Sequence, residues 1–525
     1  MQPISWVMRV WFRWCSTICS ASENGSLSMP DGQFQSESGQ DARTRIKPSN
    51  YTILVPLKND RKLAYNTVSQ AFAVWDKADG QLWDDLDKAG DLPFGAAYRT
   101  FVQGGFVVNA AEDEFRTVRR NYDRARHNDG HMMMTIAPTL SCNFGCHYCF
   151  QGLDKPLTKM TPKVREATKD YLLQHLRGRR SFHLTWYGGE PLMDQEAIWD
   201  ISAAAIKYCD DNGIKYTSMM ISNGYKMSVP VAEKLKKARV GKVQITIDGD
   251  EEMHDSRRHL TSGRGTFQRI LDNIKAVTER GLLKVSIRVN IDGQNEDQAR
   301  ALLDILERNK LGIRNGVSVY FAPVESVAEA ADGCTSCLPK TDYADLENRL
   351  HLLAFEKGLI GMPKVPRHLG LCTAVKPNSY VVVPNGDLHK CWDTVMDPKL
   401  RVGSVFGGTR KSDGRTEAMW NAWSPFENEV CSNCQLVPAC AGACAFKFVH
   451  NDYASGETGK LPCPSLKFNM AEQLFLRAKT RGFVSDDDWD QKNSPTVKGD
   501  GMLTGNRHTL ASVGAVHDAL QDMPS

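Results

Sequence analysis

Between residues 132 and 322, short apolar runs alternate with longer stretches of helical periodicity. Met132–Pro138, Phe182–Tyr187, Ser218–Ser222, Val243–Asp248, Val285–Asn290 and Val317–Ala322 read as strands. Helices fall between them, the first opened by Thr161 as N-cap and Pro162 in its first turn. Six βα repeats predict an α/β fold with a parallel sheet and right-handed crossovers. Two strands say more. In Val243–Asp248 the valine and isoleucines face one way, and Gln244, Thr246 and Asp248 the other. Val285–Asn290 repeats the split with Ser286, Arg288 and Asn290. Helices are expected to cover the apolar face, which leaves the polar face looking into a cavity. A closed eight-stranded barrel fills its interior with Val, Ile and Leu, so a six-stranded open barrel around a polar ligand fits this pattern better.

The flanks are organised differently. Thr52–Leu57, a turn at Lys58-Asn59-Asp60, and Leu63-Ala64-Tyr65 predict a hairpin, with helices expected at Ser69–Lys77 and Glu112–Arg126. Residues 46–130 thus form a small α+β unit, either a cap on the barrel or a sheet edge that docks an extended peptide, with docking preferred. Residues 1–45 are expected to be a poorly ordered lead-in. Arg9 and Arg13 break its apolar start, so no signal-peptide core survives, and initiation at Met29 is an alternative. Residues 131–345 make the barrel, 346–370 a bridging region and 371–470 a cysteine-rich domain. Residues 471–525 are read as a partly flexible tail, with a short helix near Val513–Leu520.

Composition narrows the class. The 525 residues carry 65 Lys+Arg against 62 Asp+Glu, and a net charge of +3 gives no reason to expect nucleic acid or an anionic membrane as partner. No apolar run reaches the length of a membrane span. Ten of the 15 cysteines fall into ordered spacings. That pattern points to metal chemistry in a reducing, cytoplasmic compartment instead of a disulfide framework.

The first ordered set is Cys142, Cys146 and Cys149, a CxxxCxxC run on one tight loop. Soft thiolates suit an iron–sulfur cluster, and three of them leave one iron of a four-iron cube free for a substrate or cosubstrate. Zinc would prefer CxxC pairs and a fourth ligand nearby. The loop, with Tyr148 just before its last cysteine, resembles that of radical S-adenosylmethionine (radical SAM) enzymes. One βα unit later comes Tyr187-Gly188-Gly189-Glu190-Pro191. It stands where α/β folds bind ligands, although Gly-Gly and Pro also make plain turns. It resembles the GGEP motif of that family. The resemblance implies that SAM chelates the open iron of a [4Fe-4S] cluster, with Tyr148, Gly188, Gly189 and Glu190 helping to hold it. Thr246, Asp248 and Arg288 are candidates for its ribose and carboxylate. Ser222-Asn223-Gly224, first a turn signal, is expected to line the same cavity.

A second constellation follows: Cys372, Gly386, Cys391, then Cys431, Cys434, Cys440, Cys444 and Cys463. These seven cysteines resemble the SPASM extension of radical SAM enzymes that modify peptides and proteins. The resemblance implies two auxiliary [4Fe-4S] clusters. Cys431, Cys434, Cys440 and Cys463 would hold the distal one, and Cys372, Cys391 and Cys444 the nearer one. The nearer cluster either keeps an open iron or takes a ligand from elsewhere, with Cys334 and Cys337 as suspects. Cys209 is read as a packing residue, and Cys15 and Cys19 receive no role.

Taken together, the resemblance spans about residues 132 to 470. It implies a partial (βα)6 radical SAM barrel with an N-terminal α+β unit and a C-terminal SPASM domain. It implies a maturase that cleaves SAM to a 5′-deoxyadenosyl radical and forms a carbon–carbon or thioether crosslink in a ribosomally made precursor peptide. An external flavodoxin or ferredoxin type donor would supply electrons. The alternative is a sulfatase-maturase-like enzyme that oxidises Cys or Ser of a protein to formylglycine. Members of that group place an aspartate directly after a SPASM cysteine. Here Trp392 intervenes before Asp393, which remains a candidate base in either scheme or a simple turn cap. A non-catalytic electron relay would need neither the GGEP motif nor a polar barrel face.

Overall fold

The computed structural model describes residues 44–149, 151–152, 156–324, 336–361, 371–408, 410–450 and 463–490. It divides into two compact units, one holding the described residues within 44–117 and 481–490, the other those within 118–450 and 463–480. Cys15, Cys19, Cys334, Met29 and the expected helix near Val513–Leu520 lie outside the described residues.

The first unit holds two three-stranded sheets. In one, β1 (Arg45–Pro48) pairs antiparallel with both β5 (Leu92–Pro93) and β6 (Val107–Asn109). In the other, β2 (Thr52–Pro56), β3 (Lys62–Asn66) and β4 (Phe72–Trp75) form an antiparallel meander. The hairpin stands where the sequence places it. The helix expected at Ser69–Lys77 does not form. Phe72-Ala73-Val74-Trp75 continues the meander, because a strand lets Phe72 and Trp75 bury. The helix begins instead at Lys77, where the Asp76 side chain accepts from Asp79 N at 2.9 Å. Trp75 packs on Phe101 with ring centroids 4.7 Å apart, and Trp83 and Phe106 close the cluster. Residues 481–490 belong to this unit: Arg61 bonds Asp488 at 2.7 Å and Lys58 N donates to Asp488 O at 2.9 Å.

The second unit is built on one nine-stranded sheet. Its strands are β7 (His131–Ile136), β8 (Ser181–Trp186), β9 (Lys215–Ser222), β10 (Val240–Thr246), β11 (Lys284–Ile291) and β12 (Val317–Pro323), all paired in parallel. These are the six strands expected from the alternation. Helix Pro162–His175 starts as read, with Thr161 Oγ1 accepting from Val164 N at 3.3 Å. Helix Phe267–Glu279 shows why the other face is covered: Phe267, Ile270, Leu271, Ile274 and Val277 share one buried stripe. Val243, Ile245, Val285, Ile287 and Val289 are buried under such helices. Their polar neighbours bond across the concave face, Tyr320 Oη to Gln244 Oε1 at 2.8 Å and Arg288 Nε to Asn290 Oδ1 at 2.7 Å.

Three strands of the cysteine-rich region extend this sheet. β13 (Ser379–Val382) pairs parallel to β7, and β14 (Asp387–His389) and β15 (Gly403–Ser404) follow antiparallel. Gly386, at φ +88°, makes the turn between β13 and β14. Helix Leu466–Thr480 packs on helix Lys340–Glu356 and runs through the boundary expected at residue 470. Among the described residues no helix is long and apolar enough to cross a membrane.

Candidate active site

The cysteine loop leaves β7 and is tied down on both sides. Phe144 forms a bridge with Leu260, Gly145 N donates to His259 O at 3.0 Å, and Thr261 N donates to Asn143 O at 3.0 Å. A Cβ on Gly145 would meet the His259 ring at 2.8 Å, so a larger residue there would have to push that side chain aside. Cys146 is buried, and Cys142 and Cys149 are half-buried. N–H donors surround Cys142: Phe144 N lies 3.5 Å from its sulfur and Asn223 Nδ2 lies 3.9 Å away.

The GGEP turn after β8 packs directly on this loop. Gly189 N donates to Thr139 O at 3.1 Å, and Glu190 N to Ser141 O at 2.8 Å. Gly188 adopts φ +127°, and a Cβ there would sit 2.3 Å from Thr139 O; on Gly189 it would sit 2.2 Å from Ser141 O. The two glycines thus bring the loop backbone close. Glu190 is fully buried, and burial pushes its carboxyl up from the ordinary value. Its oxygens accept from Asn223 N at 2.7 Å, Ser222 Oγ at 2.9 Å and Leu192 N at 3.0 Å. It joins the GGEP turn to the end of β9, and Ser222 and Asn223 act as its partners there.

Tyr148, Asp248 and Asn290 converge on one network. The Tyr148 hydroxyl donates to the Asp248 carboxylate and accepts from Arg258 Nη1 at 2.7 Å; Asn290 N donates to Asp248 Oδ1 at 3.2 Å. Burial pushes the Tyr148 hydroxyl well above its usual value. Arg258 was missed in the sequence. It lies in His254-Asp255-Ser256-Arg257-Arg258, just after the Asp248-Gly249 pair, but nothing local says that it reaches the cysteine loop. Its guanidinium stands 5.8 Å from the Phe144 ring centroid, and its buried Nε has no hydrogen-bond partner. An unpartnered buried donor beside the loop suits an anionic ligand. Thr246 and Arg288 are half-buried on the same concave face. A recess of about 490 Å³ bounded by Glu251, Asp255, Arg269 and Asp272 contains none of these residues.

The other cysteines gather in two groups. Cys431, Cys434, Cys440 and Cys463 are neighbours: burial, then mutual repulsion, raises the thiols of Cys431, Cys434 and Cys440, the last to about 11. Lys467 Nζ lies 3.7 Å from Cys463 Sγ. Cys372, Cys391 and Cys444 form the second group, and each thiol is again raised chiefly by burial. Cys391 Sγ donates to Asp393 Oδ2 at 3.5 Å. Cys337 is disulfide-bonded, so it is not among the free thiols of either group. Cys209 is buried in the core, as its packing role requires. Trp392 turns toward the GGEP side, with its ring centroid 4.0 Å from that of Tyr187. Among the described residues no three His, Cys, Asp or Glu side chains converge as a single ion would require. A cube makes a different demand, since each cysteine binds its own iron.

Comparison with known proteins agrees with this geometry. Residues 136–306 match the family model of the Radical SAM superfamily. Mycofactocin maturase MftC of Mycolicibacterium smegmatis is 24% identical over 339 residues, covering 61% of this chain and 80% of that protein. The serine-type anaerobic sulfatase-maturating enzyme of Bacteroides thetaiotaomicron is 22% identical over 356 residues, 61% of this chain and 83% of that enzyme. The chain spans 53% to 62% of the Listeria GTP 3′,8-cyclases that it also matches. Among solved structures, anSMEcpe with bound AdoMet superposes with a TM-score of 0.50 at 19% identity, covering 66% of this chain and 97% of that one. That likeness concerns the fold. Residues 136–306 of the chain therefore constitute a radical SAM domain.

Proposed function

We propose that this chain is a radical SAM maturase that oxidatively crosslinks a ribosomally made precursor peptide. One observation carries the reading: a three-cysteine loop packed by Gly188 and Gly189 at the carboxyl ends of a parallel sheet, in the same unit as two further cysteine groups. The match to 80% of a maturase supports it. When bound, SAM and the cluster held by Cys142, Cys146 and Cys149 supply a 5′-deoxyadenosyl radical. The chain's own residues bind and orient. Glu190 braces the GGEP turn, Asp248 and Thr246 present acceptors on the concave face, and Arg258 and Arg288 present cations to the SAM carboxylate. Tyr187, which follows β8, packs on Trp392, which follows Cys391. Cys431, Cys434, Cys440 and Cys463 would hold a distal [4Fe-4S] cluster, and Cys372, Cys391 and Cys444 the nearer one, as a route for the electron released by substrate. In the first unit β4 pairs only with β3 among the described strands, so its outer edge suits an extended peptide. A flavodoxin or ferredoxin type donor in the cytoplasm would reduce the enzyme.

The second reading, formylglycine formation on a protein, is favoured by the 83% coverage of the sulfatase-maturating relative. Trp392 standing between Cys391 and Asp393 weighs against it. The test is anaerobic SAM cleavage by the reconstituted protein beside a Cys142→Ala, Cys146→Ala, Cys149→Ala variant. Deoxyadenosine is expected from the parent and none from the variant, with the auxiliary iron retained. A parent that retains all its iron and releases no deoxyadenosine contradicts the proposal.

A further inference from the structure

Among the described residues four large apolar side chains are exposed, and three of them gather beside the cysteine loop: Leu157 at 90% exposure, Phe406 at 47% and Met396 at 36%. Single exposed apolar residues are ordinary, whereas a cluster of them marks an interaction surface. Printed contacts tie the three together through the loop. Gln151 Nε2 donates to Met396 Sδ at 3.7 Å and to Leu140 O at 3.4 Å. Behind Met396, Val395 packs with Leu140, Val381 and Val383. Leu157 lies on the segment that returns along the loop, where Ser141 Oγ donates to Pro156 O at 3.1 Å and Thr139 forms a bridge with Lys159. That segment opens helix Pro162–His175, and Lys163 in its first turn stands with Nζ 5.7 Å from the Phe406 ring centroid. Phe406 in turn covers the Gly386 turn, where a Cβ would meet its ring at 2.9 Å.

Two properties of this surface point to its occupant. The first is place. Gln151 is two residues from Cys149 and Leu140 two from Cys142, whereas the concave face meets the loop elsewhere, at Tyr148 through Asp248 and Arg258. The second is charge. Exposed charges along residues 156–163 and 396–410 are Lys159, Lys163, Lys399 and Arg410, against Asp397 alone among the described residues. The whole chain is nearly balanced, with 65 Lys+Arg and 62 Asp+Glu, so this excess is local. An apolar centre with a basic rim fits an acidic partner that has an apolar tip.

We infer that this surface docks the electron donor, an acidic one-electron carrier of the flavodoxin type. Its flavin presents an apolar ring edge, which meets Leu157, Met396 and Phe406, while carboxylates around the flavin meet the lysines. Electron transfer falls steeply with distance, so a carrier has to sit close to the loop it reduces. The step moves one electron: the reduced flavin is oxidised, the cluster held by Cys142, Cys146 and Cys149 is reduced, and no bond is made or broken. This rests on the proposed function, which supplies the cluster and its need for an electron, and it adds where that electron enters.

The test uses reconstituted full-length protein, a flavodoxin as probe, and two variants: Lys159→Glu with Lys163→Glu and Lys399→Glu, and Leu157→Ser with Phe406→Ser. All five side chains are exposed, so iron content and circular dichroism should match the parent. Calorimetry with oxidised flavodoxin is expected to show binding by the parent that weakens as salt rises. Each variant should bind about tenfold more weakly at low salt. Deoxyadenosine release driven by reduced flavodoxin should fall in step, while release driven by dithionite stays at the parent's rate. Variants that bind flavodoxin as the parent does, or a parent whose binding ignores salt, overturn the assignment. So does loss of dithionite-driven release in the variants, which would make the surface part of the catalytic site. Unchanged flavodoxin binding with altered self-association on gel filtration gives the face to a second copy of the chain, and overturns it too. A fully iron-loaded parent that releases no deoxyadenosine with dithionite overturns the proposed function instead, and the calorimetry then still decides the docking face.

Discussion

Gly188 and Gly189 carry the tightest steric demand in the site: their backbone presses against the cysteine loop, with room for no Cβ at either position. Gly188→Ala or Gly189→Ala is therefore expected to displace the loop, lowering stability by about 1–3 kcal/mol and reducing iron bound after reconstitution. A thermal melt paired with iron analysis checks both. Glu190→Gln keeps one acceptor oxygen but turns its amide NH2 against a donor, Asn223 N on one side or Leu192 N on the other. It should cost about 1–3 kcal/mol, read by the same melt, while Glu190→Asp falls short of its donors. The cysteine positions were legible because sequence-local spacing encodes a cluster loop. Arg258 was not, because only the fold brings it to Tyr148, 110 residues away in sequence. Tyr148→Phe is expected to strand both the Arg258 guanidinium and the Asp248 carboxylate, weakening SAM binding about tenfold for each 1.4 kcal/mol lost. Unchanged binding by calorimetry would show that the network lies off the SAM site.

At the scale of elements, the parallel strands were read to within three residues at each end, since each is an apolar run bounded by turn signals. The misread segment, Ser69–Lys77, is short and mixed, and cross-strand packing of Phe72 and Trp75 decides it. Strands β13 to β15 were not foreseen: two are only 2 or 3 residues long, and their pairing with the barrel sheet is purely tertiary. Arg126 shows how that extension is held. It donates to the carbonyls of Trp420, Asn421 and Trp423, at the end of helix Lys411–Ala422, and to Val375 O near Cys372. Helix Leu466–Thr480 carries a cost of its own. Burial, then the charge of Asp345, pushes the Glu472 carboxyl up to about 7, and its Oε2 has no hydrogen-bond partner. The native state therefore keeps a proton that the unfolded chain releases near pH 4.5, so this group's contribution to stability falls as pH rises from 4.5 through 7. Glu472→Gln is expected to be more stable than the parent at pH 8 by on the order of 2 kcal/mol. The difference should vanish near pH 4.5. Equal melting temperatures at pH 8 would contradict this.

For the whole molecule, the sequence fixes the chemistry far better than the substrate. Cluster cysteines and the GGEP turn are short-range patterns, whereas a peptide partner is recognised by surfaces that no local motif encodes. The radical SAM domain, the polar concave face and the two outer cysteine groups form one unit in the structure, and together they ask for a substrate that loses hydrogen and an acceptor for its electron. The decisive measurement is anaerobic turnover of the reconstituted full-length protein with SAM, reductant and any small peptide found encoded beside its gene, following deoxyadenosine and peptide mass together. The account predicts one peptide losing two hydrogens in step with deoxyadenosine, with fragmentation placing the change at a crosslink between side chains. Loss of hydrogen confined to a single Cys or Ser of a sulfatase-like sequence, or peptide left unchanged while deoxyadenosine accumulates, would contradict it.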